Sequence, residues 1–250
     1  MRFLAVVVFA LLATLGFVST AHAAFYGTSS GATVTWIDVQ DQNGLFGAPF
    51  TSTGSDTIDF SPNAFQAECP LNPACAGGIL TIDDTLTITI QSDPGFGIDE
   101  LVFSESGDVS LQSFIGAIAA TSVGATIFID IFEVDGVAIN QINHNALLVF
   151  DNDSFESFDE GYGTYIWNGG INIDLNAVLA NAGISGSATR VTVNLDNTLT
   201  AFAASGATAR IEKKDVDGLT ITVVPEPGTA LLMGLGLVGL ASIRRSHAAA

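Results

Sequence analysis

The sequence predicts an all-β protein, a two-layer antiparallel β-sandwich of jelly-roll-like form with one short helix. Three observations lead there. Apolar and β-branched residues alternate with polar ones over many short runs. Gly, Asp and Asn fall between those runs, where turns need them. Only one stretch carries a helical pattern with both a start and a stop. Strands with one apolar face must bury it against a second layer, which gives the sandwich. An N-terminal signal helix and a C-terminal transmembrane helix are expected to flank this body.

The elements follow in chain order. The run "TVTWIDV" (33–39) places Trp36 among β-branched residues. The run "LTIDDTLTITIQ" (80–91) is the clearest strand, with Leu86, Ile88 and Ile90 on one face and Thr85, Thr87 and Thr89 on the other. After the turn at Asp93-Pro94-Gly95 comes "GIDELVFSES" (97–106). The run "ATIFIDIFEVDGVAIN" (125–140) reads as a hairpin, because Asp135-Gly136 is a two-residue turn that tolerates positive φ. The stretches "TRVTVNL" (189–195) and "TLTAFAA" (198–204) supply two further strands. A last hairpin is expected in "TARIEKKDVDGLTITVV" (208–224), turning at Asp217-Gly218. The helix lies in "DLNAVLANAG" (174–183), capped by Asp174, with Leu175, Val178 and Leu179 facing inward and Gly183 ending it.

The two ends have a different character. Arg2, an apolar run from Phe3 to Phe17 and the ending Ala21-His22-Ala23 make a secretory signal peptide, cut after Ala23 by signal peptidase. At the other end Pro225-Glu226-Pro227 breaks regular structure. An uncharged run, 229–243, follows and stops at Arg244-Arg245. At about 1.5 Å per residue it makes a short membrane helix, and the paired arginines stay on the cytoplasmic side. The tripeptide, glycine-rich apolar run and basic stop, in that order, resemble the PEP-CTERM sorting signal of Gram-negative bacteria. The resemblance covers about the last 26 residues. It implies recognition by exosortase, a transpeptidase-like membrane enzyme, with release or re-anchoring near Pro225, Glu226 and Pro227. It also implies a setting rich in extracellular polysaccharide. It assigns no activity to the body. The expected organisation is therefore a signal peptide (1–23), a β-sandwich domain (24–224) and a sorting signal (225–250).

Removing both ends changes the charge balance. Residues 24–224 hold four basic and 25 acidic side chains, a formal charge of 4 − 25 = −21. Such a surface repels nucleic acid and anionic membranes, and no nucleic-acid partner is expected. The exported body has two cysteines, Cys69 and Cys75, in "ECPLNPAC". In an oxidising compartment they are expected to form a disulfide. Zinc is disfavoured, since His144 is the one histidine of the body and no second cysteine pair exists.

Chemistry is sparse. The body has no H-E-x-x-H motif, and its single histidine, His144, stands in no motif, so no enzyme, catalytic residue or cofactor is expected. Two binding candidates remain. In "DNDSFESFDEGYG" the carboxylates of Asp151, Asp153, Glu156, Asp159 and Glu160 fit either a calcium site or a solvated acidic loop, and their spacing fails the EF-hand pattern. In "EGYGTYIWNGG" Tyr162, Tyr165 and Trp167 fit either a carbohydrate platform or a strand with Tyr165 and Trp167 packed inside. The expected function is a non-catalytic structural or adhesive role linked to exopolysaccharide, with carbohydrate or calcium binding as the alternative.

Overall fold

The computed structural model describes residues 23–62, 64–71, 75, 78–214 and 218–226. It is all-β and antiparallel, with one short helix among those residues. The strands are β1 (Ala24–Ser30), β2 (Val34–Asp41), β3 (Pro49–Thr51), β4 (Thr57–Phe60), β5 (Gln66–Cys69), β6 (Gly78–Ser92), β7 (Ile98–Ser113) and β8 (Ala119–Val134). They continue with β9 (Val137–Leu147), β10 (Val149–Phe150), β11 (Ser154–Glu156), β12 (Gly163–Asp174), β13 (Ala188–Ala203), β14 (Ala207–Lys213) and β15 (Leu219–Pro225). The helix α1 (Leu175–Asn181) lies between β12 and β13.

Two long strands organise the layers. In the first layer β13 pairs along its length with β6 on one side and β8 on the other. Beyond β6 lie β2 and β1; beyond β8 lie β9 and, further along, β11. In the second layer β7 pairs with β12 on one flank. Its other flank holds β15 opposite residues 98–105 and β14 opposite residues 107–113. The short strands β4, β3, β5 and β10 extend this layer. A single bridge, Ala188 to Ile98, links the two central strands at one corner. The chain passes from layer to layer between β6, β7 and β8 and again between β12, β13 and β14, as the jelly-roll-like expectation requires.

The period-two patterns bury the predicted faces. Leu86, Ile88 and Ile90 of β6 are buried, while Thr85, Thr87 and Thr89 lie on the outer face. There Thr87 donates to Asn194 Oδ1 at 2.7 Å, and Thr89 pairs with Thr192 at 3.0 Å. In β2 both Trp36 and Val39 are buried, which strict alternation forbids. Asp38, at φ 53°, sits in a bulge between Ile37 and Gln40 that flips the phase. The β8–β9 turn is as expected, with Asp135 and Gly136 both at positive φ (52° and 75°). In α1 the Asp174 side chain accepts from the Ala177 N–H at 2.8 Å, Leu175 and Leu179 are buried, and Val178 packs against the core.

Two readings need correction. The stretches 189–195 and 198–204 are one strand, β13, which runs straight through Asp196-Asn197. That pair looks like a turn signal, but Asp196 points to solvent and Asn197 lies buried against the opposite layer. The stretch 208–224 is not a hairpin. Strands β14 and β15 lie end to end on the same flank of β7, which is long enough to take both. Asp217, the expected turn residue, lies outside the described residues.

The core holds an ionic cluster. Glu105 of β7 and Lys213 of β14 face inward from one layer and Asn197 of β13 from the other, all with almost no exposure. Lys213 Nζ stands 2.9 Å from Glu105 Oε2, and Asn197 Nδ2 donates to Glu105 Oε1. The Nζ–Oε2 contact is not aligned as a hydrogen bond. Those two atoms and Asn197 Oδ1 have no hydrogen-bond partner among the described residues. Around the ammonium stand the rings of Phe46, Phe65 and Trp167, with centroids 5.6, 5.4 and 5.6 Å away. Burial pushes the Lys213 ammonium below its ordinary pKa, and the Glu105 charge pulls the other way. An apolar trio of similar volume would fill this space at less desolvation cost.

Candidate functional site

The sorting motif begins on the last strand of the sandwich. Strand β15 pairs with β7 through Val224 and Pro225. Its next residue, Glu226, is held against the domain: its N–H donates to the Gly97 carbonyl at 3.2 Å. Its Oε2 accepts from the Ser187 hydroxyl at 2.8 Å. Glu226 thus forms one wall of a cleft of about 610 Å³ between the 93–97 turn, the β8–β9 turn and the chain entering β13. Asp93, Glu133 and Asp135 also line it, so the cleft is acidic. Asp135 ties its far wall together by accepting from the Ser187 N–H at 3.0 Å.

Of the expected sorting residues, Pro225 and Glu226 lie at this edge. Pro227, the apolar run 229–243, Arg244 and Arg245 lie outside the described residues, as do residues 1–22, including Ala21. Ala23 is exposed just before β1. Among the described residues no helix is long and apolar enough to cross a membrane.

Cys69 and Cys75 form the expected disulfide, with Cα atoms 5.2 Å apart. Cys69 ends β5 in the core, so the bridge fastens Cys75 to the edge of the second layer.

The aromatic candidates separate. Trp167 is buried and meets Phe150 edge to face at 5.8 Å. Tyr165 is half-buried, stacks on Phe155 at 5.7 Å and donates its hydroxyl to the Glu160 carbonyl at 2.7 Å. Tyr162 alone of the three is exposed, with its hydroxyl donating to the Ala117 carbonyl at 3.0 Å. The alternation along β12 puts Tyr165 and Trp167 on the inner side, and the three rings share no outer face.

Two carboxylates of the acidic loop, those of Asp151 and Glu160, bond within the domain. Asp151 accepts from the Asn168 N–H at 2.9 Å and from Asn168 Nδ2 at 3.0 Å. These bonds hold its carboxyl below the usual range, the backbone one most. Glu160 Oε2 accepts from the Glu156 N–H at 2.7 Å. Asp153 lends its carbonyl to the Val123 N–H at 2.9 Å, and the Asp159 N–H donates to the Glu156 carbonyl at 3.0 Å. Among the described residues no three His, Cys, Asp or Glu side chains gather as a metal site.

The sequence reading passed over Glu105, Asn197 and Lys213. Each is a polar residue on the inward phase of an alternating strand, following Leu101 and Phe103, Val193 and Leu195, or Ala209 and Ile211. That phase is the signal that finds them.

Residues 223–246 match the PEP-CTERM protein-sorting motif. The motif implies export, processing by exosortase and sorting to the cell surface. No curated protein matches this chain. Solved structures that resemble it do so at low identity. One is the enzymatically active domain of tailspike protein 4 of bacteriophage CBA120, at 12% identity and TM-score 0.22, covering 81% of this chain. The chain spans only 19% of that tailspike chain. Another is TmCBM61 in complex with β-1,4-galactotriose, at 10% identity and TM-score 0.19, covering 82% of this chain and 90% of that one. A third is the non-crystalline cellulose-specific carbohydrate-binding module CBM28, at 14% identity and TM-score 0.22, covering 69% and 77%.

Proposed function

We propose that the protein is a non-catalytic structural or adhesive component of the cell envelope or extracellular matrix, lodged among exopolysaccharide. In this reading signal peptidase removes residues 1–23. The sandwich of residues 24–224 then stands outside the inner membrane on a helix at 229–243. Exosortase acts near Pro225-Glu226-Pro227 and delivers the domain to the surface. The observation that carries the sorting is the motif at 223–246, joined without a linker to β15. The structural role is supported by the packing of Trp167 and Tyr165, which puts two of the three candidate rings to work inside the fold.

Fractionation of the host tests this reading. The full chain is expected first with the inner membrane and then in the surface or matrix fraction. A chain ending at Val224 is expected to be free in the periplasm or medium. Identical distributions for the two chains overturn the reading.

The second reading, a carbohydrate- or calcium-binding module with the same address, rests on Tyr162, an exposed ring beside the acidic loop. It requires Tyr162→Ala to lose retention on the host polysaccharide, or a chelator to lower Tm. Unchanged retention and Tm leave the structural reading standing.

A further inference from the structure

We propose that Lys213 and Asn197 become joined by a side-chain amide bond across the core, made by the folded protein itself with Glu105 as proton carrier. The reacting groups are already gathered. Glu105 Oε2 stands 2.9 Å from Nζ, the nucleophile. Glu105 Oε1 accepts from Asn197 Nδ2, the nitrogen that leaves. One carboxylate therefore touches both atoms that must exchange protons, in a site closed to solvent. Before the bond forms the cluster is poorly satisfied: Nζ and Oε2 are ion-paired, but they and Asn197 Oδ1 have no hydrogen-bond partner among the described residues. An amide bond consumes the amine and removes the buried charge.

An amine attacks a carboxamide only as the free base, and in water lysine is an ammonium. Burial of Lys213 favours the free base. Phe46, Phe65 and Trp167 enclose Nζ and exclude water that would otherwise compete for the carbonyl.

The step balances without an oxidant, a metal or a cofactor. The Lys213 ammonium gives a proton to Glu105. The freed Nζ pair attacks Asn197 Cγ, and Glu105 returns the proton to Oδ1 as the tetrahedral carbon forms. Collapse re-forms the carbonyl and breaks the Cγ–Nδ2 bond. Glu105 carries protons from Nζ and Oδ1 to the departing nitrogen. The net change is lysine ammonium plus carboxamide to secondary amide plus ammonium ion, with Glu105 again a carboxylate. The bond links β13 of one layer to β14 of the other, at the middle of the sandwich. This single-turnover self-modification stands apart from the sorting reading and does not depend on it.

Peptide mapping of the full-length chain by mass spectrometry tests the proposal. A peptide containing Asn197 joined to one containing Lys213 is expected, at the summed mass less one ammonia. Glu105→Gln keeps the volume and removes the proton carrier; it is expected to give the two peptides separately. Asn197→Asp is expected to give the joined peptide at the wild-type product mass, since it loses water instead. Separate, unmodified Asn197 and Lys213 peptides from folded wild-type protein overturn the proposal. A joined peptide in Glu105→Gln overturns the role of Glu105.

Discussion

The indole of Trp167 lies against the bare α-carbon of Gly107, its pairing partner on β7. A Cβ at Gly107 would stand 2.2 Å from the Trp167 ring carbons and 2.1 Å from the Glu212 carbonyl oxygen. Neither neighbour is a flexible chain end. The ring holds its place against the Lys213 ammonium because position 107 has no side chain.

Gly107→Ala is therefore expected to destabilise the domain by about 2–4 kcal/mol, through overpacking against ring and backbone. Urea denaturation followed by tryptophan fluorescence measures it. A change below about 0.5 kcal/mol, the ordinary level for surface sites, would show that the ring relaxes freely.

Asp84 carries a pH-dependent prediction. It is buried and accepts from the N–H groups of Gln42, Asn43, Leu45 and Thr85, at 2.8–3.0 Å. Burial raises its carboxyl above the ordinary value, the amide bonds oppose the rise, and the Asp41 charge adds to it. A raised folded-state pKa gives a contribution that is complete below the unfolded value, 3.8, and lost as pH rises through the folded value. Asp84→Asn is expected to cost about 1–3 kcal/mol overall, since the Leu45 N–H, the one that donates to Oδ2, would face an amide NH2 in place of an acceptor. The part of the stability loss between about pH 4 and pH 7 that belongs to Asp84 should vanish in the variant. Denaturation of both proteins at the two pH values gives the difference; equal pH responses refute the assignment.

The Cys69–Cys75 bridge closes a loop with a sequence separation of 6. Loop-closure entropy for so short a loop gives about 2 kcal/mol. Reduction is expected to lower stability by about that amount while far-UV circular dichroism keeps its strand signature. Global unfolding on reduction would give the bridge a larger role than loop closure supplies.

Ser187 is expected to restrain processing. Its hydroxyl holds Glu226 against the cleft. A hydrogen bond to a carboxylate contributes about 1.5 kcal/mol, a factor of about ten in the undocked population. Ser187→Ala should raise the rate of exosortase cleavage in pulse–chase labelling by up to that factor. An unchanged rate means that undocking does not limit cleavage.

The layers were legible in the sequence because one-sided burial writes itself as alternation, as in residues 86–90 of β6 and the Asp135-Gly136 turn. The continuity of β13 was hidden by Asp196-Asn197, a turn pair by local preference that tertiary contacts hold straight. End-to-end packing of β14 and β15 was hidden because partner choice depends on the length of β7, far away in sequence. The bulge at Asp38 left no mark beyond its effect on phase. For the candidate site, the Pro-Glu-Pro tripeptide was plain, but the docking of Glu226 on Ser187 needed the fold. Trp167 showed its strand but not which side it faced. Glu105, Asn197 and Lys213 are each unremarkable alone. Their meeting follows from β7, β13 and β14 each carrying a polar residue on its inward phase.

Strand β15 leaves the domain flanked on both sides, by β7 along its whole length and by β4 over Leu219–Thr222. A pull at Pro225 directed along the strand axis acts at right angles to the ladder of hydrogen bonds. Those bonds bear the force together, in shear, instead of opening one by one as at a peeled edge. A globule tugged by flowing water from this end would give way as a clasp does, all at once and only at high tension.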